Sequence, residues 1–327
     1  MWLLGRAAIG IGTEAVDFNG QSVLVTGGAG FIGSHLVETL LQLGAGVSVL
    51  DQCATFANLQ PVSAQIGAIR GKIEDVLSDS GFRLERYQYI FHLAGTSFVP
   101  ASVADPFADF QSTVVNTLQL LESLRRCQDP PKLILASSAA VYGTPVRLPI
   151  REEDSTVPIS PYGVAKLAAE RYASVYSRLF GIPVTSLRLF SVYGPRQRKQ
   201  VVYDVLRKVR LGAEKIEVIG DGSQKRDFLY VLDAVDALVL AAKAAPGKGE
   251  AYNVASGTAY SIREVIEQLY KTCGRHPESV FSGVQRPGDP AEWAADIGRM
   301  ASLGFQAKVS LTDGLLLVRE WFDETSR

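Results

Sequence analysis

The chain has 327 residues, of which 47% are hydrophobic and 20% are charged, and its formal net charge is −1. A chain of this size can bury about three quarters of the surface that it exposes when unfolded, so a largely disordered protein is excluded. The near balance of acidic and basic residues gives no electrostatic footprint for nucleic acid.

Cysteines, histidines and apolar runs exclude further classes. Three cysteines and three histidines are scattered along the chain, which predicts neither a disulfide framework nor a metal site. No run of 18 apolar residues occurs, and residues 1–19 lack an apolar signal region with a cleavage site. We therefore expect a cytoplasmic protein with no membrane partner, in which residues 1–19 form an arm packed on the surface.

A glycine-rich turn connects the first predicted strand to the first predicted helix. The strand covers the apolar residues 23–25, and apolar residues between 31 and 40 recur on one helix face. Gly27, Gly30 and Gly33 follow the strand at G-x-x-G-x-x-G spacing. The first glycine permits a tight turn, the second lets the backbone approach a pyrophosphate, and the third lets the helix pack closely on the sheet. Since free N–H groups at the helix N-terminus bind anions, the pattern predicts a dinucleotide site.

An acidic residue identifies the dinucleotide that this site prefers. The next predicted strand, 46–50, ends at Asp51, which lies 18 positions after Gly33. A carboxylate about 20 residues past the glycines accepts hydrogen bonds from the adenosine ribose. Neither Lys nor Arg occurs between Asp51 and Arg70 to meet a 2′-phosphate. The sequence therefore predicts NAD rather than NADP.

The rest of the first half alternates strands with helices. Further strands are predicted at 66–69, 87–93, 132–136 and 183–190, and helices at 106–127 and 161–180, the second ending at Gly181. Ala94 and Gly95 follow the fourth strand, where small residues leave room for a ligand at the carboxyl edge of the sheet. Six strands with intervening helices predict an α/β fold with a Rossmann-type doubly wound parallel sheet.

The pattern changes near residue 190. We interpret 1–190 as the NAD-binding domain and 191–327 as mainly a smaller α/β lobe that binds the substrate. Helices are predicted near 201–211, 232–244, 262–272 and 311–323. The apolar residues 228–231 predict a buried strand that returns to the large sheet.

Tyr162 and Lys166 are the strongest candidates for chemistry. They stand at i and i+4, which places both side chains on one helix face. A nearby ammonium is expected to lower the pKa of the phenol from its usual value of about 10. The pair could then exchange a proton with a sugar hydroxyl while a hydride moves elsewhere. Ser138, at the end of the fifth strand, would hold the same oxygen.

Together these motifs resemble the extended short-chain dehydrogenase/reductase family, in its NAD-dependent nucleotide-sugar epimerase/dehydratase branch, from residue 22 onward. The matching stretches are TGGAGFIGSH at 26–35, HLAG at 92–95, SSAAVYG at 137–143, SPYGVAK at 160–166, VYGPRQ at 192–197, GDGSQKRDF at 220–228 and RPGD at 286–289. The resemblance implies bound NAD, with Tyr162 as the base, Lys166 on the nicotinamide ribose and Ser138 as the hydroxyl partner.

The resemblance also implies two sets of binding residues. The cofactor set is Gly27, Gly30, Phe31, Ile32, Gly33, Asp51, Lys72, Ile73, Leu93, Ala94 and Gly95, with Tyr162 and Lys166. The substrate set is Ser138, Ser191, Arg226, Arg286 and Trp293. In that set Arg226 and Arg286 would grip the diphosphate of a nucleoside-diphosphate sugar, because guanidinium groups bind phosphate oxygens bidentately. The basic residues Arg196, Arg198 and Lys199 are interpreted as a solvated helix start.

The residues after Ser138 point to one subgroup of the family. Members that eliminate water or decarboxylate carry a carboxylic acid there, whereas this chain has Ala139 and Ala140. This favours 4-epimerases, in which the C4 hydride passes to NAD, the 4-keto sugar turns over, and the hydride returns to the other face. Trp293 matches a pocket position where bulky residues in these epimerases exclude 2-acetamido sugars, so the resemblance implies a UDP-hexose, UDP-pentose or UDP-uronate.

Three positions depart from the family pattern, and two other functions stay open. Lys72 replaces an adenine-contacting Asp, and Thr113 and Ser191 each replace an Asn. The alternatives are an NAD(P)H-dependent 4-ketosugar reductase and a non-catalytic dinucleotide-sensing protein.

Apolar residues on more than one face of helices 106–127 and 161–180 predict a homodimer; they include Leu167, Tyr172 and Tyr176.

Overall fold

Seven parallel strands form the central sheet of the computed structural model, which describes residues 16–284, 288 and 290–325. The strands are β1 (Ser22–Thr26), β2 (Gly46–Asp51), β3 (Ile66–Arg70), β4 (Tyr89–His92), β5 (Lys132–Ser138), β6 (Val184–Leu189) and, later in the chain, Lys248–Val254. Their order from one edge is Lys248–Val254, β6, β5, β4, β1, β2, β3. The strand order therefore reverses between β1 and β4, although all strands run parallel. Open α/β sheets bind their ligands at such a point.

Helices cover both faces of this sheet. The first six are α1 (Phe31–Gln42), α2 (Ile73–Ser78), α3 (Val99–Ala104), α4 (Pro106–Phe110), α5 (Asn116–Arg125) and α6 (Pro161–Phe180). Val23 and Val25 of β1 pack in the core on the α1 side, and Leu24 packs in the core on the α5 side. Because both faces of the strand are buried, its sequence is continuously apolar. The predicted doubly wound parallel sheet is confirmed.

The second half of the chain adds two small sheets and five helices among the described residues. Its strands are β7 (Ser191–Tyr193), β8 (Lys215–Val218), β9 (Lys225–Tyr230), β10 (Lys248–Val254), β11 (Ala259–Ser261), β12 (Glu278–Phe281) and β13 (Glu292–Trp293). Its helices are α7 (Gln200–Arg210), α8 (Val231–Ala244), α9 (Ile262–Cys273), α10 (Gly298–Ser302) and α11 (Leu311–Thr325). In one small sheet β9 pairs with β7, β11 and β13, and in the other β8 pairs with β12.

The strand that returns to the large sheet was predicted at the wrong place. Residues 228–230 belong to β9, at the centre of the four-stranded sheet, whereas β10 pairs with β6. Since β9 is buried on both faces in its own sheet, its apolar run did not distinguish the two sheets. The Gly- and charge-rich start of β10 carries a bulge between Lys248 and Glu250, which hid that strand in the sequence. The boundary near residue 190 remains a prediction.

The helix predicted over 106–127 is interrupted. A π-helical turn at Gln111–Val115 separates α4 from α5. One extra residue per turn shifts the phase of the side chains. The predicted helix 161–180 is α6, which Ser160 caps through Gly163 N at 3.2 Å and which ends at Gly181 with a φ of +69°.

Two predictions concern parts of the chain that the structure does not describe. The arm predicted at 1–19 lies mostly outside the described residues, and Arg286 lies outside them. Within the described part of the chain, no helix has the length and apolar character needed to cross a membrane.

A buried ion pair fastens α6 to the sheet. Arg188 of β6 donates to Glu170 of α6 at 2.5 Å, and both side chains are almost fully buried. Ser137 of β5 donates to the same carboxylate at 2.8 Å. Glu170 therefore connects α6 with two neighbouring strands.

We expect Glu170→Gln to lower the free energy of unfolding by about 3–5 kcal/mol, because it leaves Arg188 as an uncompensated buried charge. Denaturant unfolding measures this change. The matched control is Glu122→Gln, which weakens the partly exposed pair with Arg125 and should cost less than about 1 kcal/mol. Equal losses in the two variants would contradict the assignment.

Candidate active site

A cavity of about 1140 Å³ opens at the carboxyl edge of the large sheet. Every predicted site residue that the structure describes lines it. Those residues are Gly27, Gly30, Phe31, Ile32, Gly33, Asp51, Lys72, Ile73, Leu93, Ala94, Gly95, Ser138, Tyr162, Lys166, Ser191, Arg226 and Trp293. The fold thus brings the two predicted sets together in one cavity, while their individual roles remain predictions.

The glycine turn lets α1 begin very close to β1 and β4. Gly27 has a φ of +72°, and a Cβ there would lie 2.7 Å from Ala94 N. A Cβ on Gly33 would lie 2.3 Å from the Gly27 carbonyl oxygen. Gly30 occupies the N-cap of α1, and no side chain among the described residues caps it. The first N–H groups of α1 are therefore available to an anion, as a pyrophosphate requires.

Asp51 ends β2, Lys72 follows β3, and both line the cavity. Asp51 Oδ2 accepts a hydrogen bond from Ala29 N at 3.0 Å, so this carboxylate also stabilises the glycine turn. Its Oδ1 accepts from Cys53 N at 3.0 Å. Lys72 is well exposed and lies 3.5 Å from a carboxylate oxygen of Glu74. The positive charge of Lys72, at the position where the family usually has an Asp, is thus partly balanced by Glu74 of α2.

Ser138, Tyr162 and Lys166 line the cavity where the end of β5 meets the start of α6. The Ser138 hydroxyl interacts with the Tyr162 phenol. Lys166 Nζ donates to the Ala136 carbonyl oxygen at 2.9 Å and lies 6.0 Å from the centroid of the Tyr162 ring. The last residues of β5 and the first two turns of α6 therefore set the geometry of all three groups.

The expectation that Lys166 lowers the pKa of Tyr162 is wrong in this structure. Burial raises the pKa of the Tyr162 phenol; the hydrogen bond from Ser138 opposes that rise, and the charge of Asp109 adds to it. Burial also lowers the pKa of Lys166 to about 8, against the opposing effect of Asp109. Both groups are enclosed, so desolvation favours their neutral forms.

Arg226 of β9 and Trp293 of β13 also line the cavity, on two paired strands. Arg226 donates to the carbonyl oxygens of Lys225 at 2.7 Å and Pro290 at 2.6 Å. Its guanidinium carbon lies 5.3 Å from the centroid of the Trp293 ring. Trp293 Nε1 in turn donates to the Gly143 carbonyl oxygen at 3.0 Å. Both side chains are therefore held rigidly at the cavity wall.

The interpretation of the basic run after residue 195 as a solvated helix start is wrong for two of its residues. Arg196 is buried and lies 2.5 Å from Glu38 of α1. Lys199 Nζ donates to Ser97 Oγ at 2.9 Å and lines the cavity. Only Arg198 is largely exposed, and it also lines the cavity.

A set of buried polar side chains beside Lys166 was not predicted from the sequence. Asp109, Thr113 and Thr117 are each at most 2% exposed, and they follow one another at helical spacing. Such a polar stripe within an otherwise apolar helical pattern was a signal that could have revealed them. Thr96 also lies here, lines the cavity and donates to Asp109.

A parallel doubly wound sheet with a glycine turn and a Tyr–Lys pair at its carboxyl edge defines a Rossmann-type dinucleotide-binding protein. Comparisons with known proteins are more specific. The family model described as GDP-mannose 4,6 dehydratase matches residues 24–316. The chain therefore belongs to the extended short-chain dehydrogenase/reductase family, in its nucleotide-sugar epimerase/dehydratase branch.

Three relatives illustrate the similarity. A UDP-glucose 4-epimerase of Mycolicibacterium smegmatis is 35% identical over 315 residues, covering 93% of this chain and 99% of that protein. The structure of a Thermotoga maritima UDP-glucose 4-epimerase with UDP-glucose has a TM-score of 0.87 and 34% identity, covering 94% of this chain and 100% of that one. A Bacillus cereus UDP-glucuronic acid 4-epimerase, in complex with UDP-glucuronic acid and NAD, has a TM-score of 0.86 and 31% identity, covering 93% and 99%.

We expect Gly33→Ala to disrupt the turn, because its Cβ would overlap backbone atoms of residues 27 and 28. The free energy of unfolding should fall by about 1–3 kcal/mol or more. Dinucleotide binding, measured by calorimetry, should weaken at the same time. Gly46→Ala is the control, since its Cβ would lie 3.8 Å from the nearest atom, and it should change stability by less than about 0.5 kcal/mol. Wild-type binding by the Gly33 variant would refute the role of this turn.

Proposed function

We propose that this protein is an NAD-dependent nucleotide-sugar 4-epimerase that acts through a transient 4-keto sugar. The observation that carries the proposal is the meeting of Ser138, Tyr162 and Lys166 in a cavity that also contains the glycine turn. The relatives described above are 4-epimerases of UDP-sugars, and this supports the same reaction class for this chain.

The residues at the carboxyl edge of the sheet fit NAD. Gly27, Gly30 and Gly33 leave the N–H groups of α1 open to the pyrophosphate, and Asp51 offers carboxylate oxygens to the adenosine ribose. Lys166 would hold the nicotinamide ribose. When bound, NAD supplies the hydride acceptor and donor that a sugar 4-epimerisation needs.

Tyr162 and Ser138 handle the proton. Tyr162 accepts the proton of the sugar 4-hydroxyl as the 4-keto group forms and returns it when the hydroxyl is restored. Ser138 keeps a hydrogen bond to that oxygen throughout. Proton transfer by a positioned side chain of this kind contributes about 10²–10⁴-fold to a rate. Since the hydride leaves and returns within one active site, the reaction involves no net oxidation.

The wall after Ser138 favours epimerisation over elimination. Ala139 and Ala140 are buried in a short 3₁₀ turn directly after β5. Neither can donate a proton to a departing hydroxyl, which elimination of water would require. The reaction therefore ends with hydride return to the 4-keto sugar.

The nucleotide and the sugar are also part of the proposal. Arg226, in the cavity wall, is proposed to bind the diphosphate of a UDP-sugar. Trp293 is anchored on Gly143 and narrows the cavity, which favours a hexose, pentose or uronate over a 2-acetamido sugar. Ser191 lines the same cavity and would contact the substrate.

The test is incubation of the purified protein with UDP-glucose, UDP-galactose, UDP-xylose and UDP-glucuronate without added NAD. At least one C4 pair should interconvert. Steady oxidation of added NADH without any interconversion would instead indicate a 4-ketosugar reductase.

We expect Tyr162→Phe to lower kcat for that interconversion by about 10²–10⁴-fold, because the proton acceptor is lost. Retained NAD, measured after denaturation, should stay at the wild-type level. Tyr172→Phe is the control, since Tyr172 lies on the same helix and is 44% exposed. A Tyr162 variant with wild-type kcat would support a non-catalytic dinucleotide-binding protein.

We also propose that the protein is a homodimer through α4 and α6. Of the residues that suggested this, Tyr172 is exposed, whereas Leu167 and Tyr176 pack against the core. The exposed apolar side chains on these two helices are Phe107, Phe110, Val164, Tyr172, Val175, Leu179 and Phe180.

Sedimentation velocity at micromolar concentration should show a dimer for the wild type and a monomer for Leu179→Glu, because a charge would be placed in an apolar interface. Leu211→Glu, at a similarly exposed leucine outside these helices, should remain dimeric. A monomeric wild type would refute the proposal.

A further inference from the structure

A buried carboxylate, Asp109, lies next to the Tyr–Lys pair. It is 1% exposed and belongs to α4, which packs against α6. Its Oδ1 accepts a hydrogen bond from Thr96 Oγ1, and its Oδ2 has no hydrogen-bond partner among the described residues. A carboxylate with so few donors needs a nearby positive charge in order to stay ionised.

Lys166 supplies that charge. Burial raises the pKa of Asp109 and the charge of Lys166 opposes that rise, while the charge of Asp109 opposes the lowering of the Lys166 pKa by burial. The space near the ammonium is kept open by Gly95, which has a φ of +136°. A Cβ at Gly95 would lie 3.2 Å from Thr113 Oγ1 and 3.8 Å from Lys166 Nζ. The helical segment that carries Asp109 and Thr113 therefore approaches the ammonium with no side chain of Gly95 between them.

The other titratable groups around Lys166 do not balance its charge. His92 of β4 is buried with a pKa lowered to about 3, so it is neutral at physiological pH. Its ring nitrogens are hydrogen bonded to Thr26 and Thr117. Tyr162 lies on the same helix as Lys166. Among the described residues that face Lys166, Asp109 is therefore the carboxylate that can act as its counter-ion.

We propose that Asp109 is a positioning residue that acts through Lys166, as the buried counter-charge that keeps this side chain an ammonium beside Tyr162. The inference rests on the proposed function, because it gives Asp109 a part in the same proton transfer. Asp109 itself contacts neither sugar nor cofactor in this assignment.

The sign of the effect follows from the charge. A negative Asp109 raises the pKa of both Tyr162 and Lys166, since it disfavours the phenolate and favours the ammonium. The active state needs a phenolate and an ammonium together, so the two groups set the acid and alkaline limbs of a bell-shaped profile as a coupled pair. Neutralising Asp109 should therefore move both limbs to lower pH. A purely structural defect would lower the rate without moving either limb.

The experiment compares Asp109→Asn with wild type. Both limbs of the pH dependence of kcat/KM should shift down by about one pH unit, which corresponds to an approximately tenfold loss of rate above the alkaline limb. Asp109→Glu, which restores the carboxylate, should return the limbs towards wild type. The control is Asp105→Asn, which removes a carboxylate from the exposed N-cap of the same helix and should leave both limbs in place.

A second readout needs no substrate. Ultraviolet difference titration, with Tyr162→Phe subtracted, follows the phenolate of Tyr162 alone, and circular dichroism confirms that the fold persists. In Asp109→Asn this phenolate should form at lower pH than in wild type. If Asp109→Asn does not fold, Asp109→Ser, which keeps a hydroxyl for Thr96, carries the same expectation.

The outcomes separate the two proposals. Wild-type limbs and a wild-type phenolate titration in the Asp109 variants would overturn the role of Asp109, even if the rate falls. A shifted phenolate titration in a protein that converts no nucleotide sugar would refute the 4-epimerase assignment and leave the role of Asp109 standing.

Discussion

The hydrogen bond from Lys166 to the Ala136 carbonyl oxygen is the contact on which the rest of the site depends. It joins the first turns of α6 to the end of β5 inside the protein, where water does not compete. Because Tyr162 lies one turn before Lys166 and Ser138 lies two residues after Ala136, this one bond sets the spacing of all three groups. The ion pair between Glu170 and Arg188 holds the next turn of the same helix on β6. The geometry of these three side chains is therefore set by the sheet edge and α6, not by a loop.

Much of this arrangement was predictable because its determinants are local. Ser160, Pro161 and Gly181 specify where α6 begins and ends, and the glycine spacing specifies the turn before α1. Strand β10 was not predictable, since its pairing with β6 involves residues far apart in the chain and its first residues resemble a turn. The same limit applied to β9, where burial alone could not identify the partner strands. Local sequence determined where helices and strands form, and pairing between distant residues determined the positions of β9 and β10 in the sheets.

The electrostatics of the site were the least accessible to sequence. The i and i+4 spacing of Tyr162 and Lys166 correctly placed two side chains in one cavity, but it contained no information on desolvation. Burial raises the pKa of the phenol and lowers that of the ammonium, which opposes the expected effect of their proximity. Asp109 lies in α4, just before the π-helical turn, so its approach to Lys166 follows from the packing of α4 against α6. The pKa values in such a site depend on the burial and the charges of all the groups around it.

The ion pair between Arg196 and Glu38 has a mechanical consequence. It connects α1, which begins at the glycine turn, to the segment that leads into α7, and His35 Nε2 reinforces the connection with a 3.0 Å contact to the Pro195 carbonyl oxygen. Separating these elements would have to break this buried ion pair and the Pro195 contact together. The two contacts therefore oppose a hinge motion between α1 and the segment that leads into α7. These contacts hold α1 and the segment before α7 in a fixed position relative to each other.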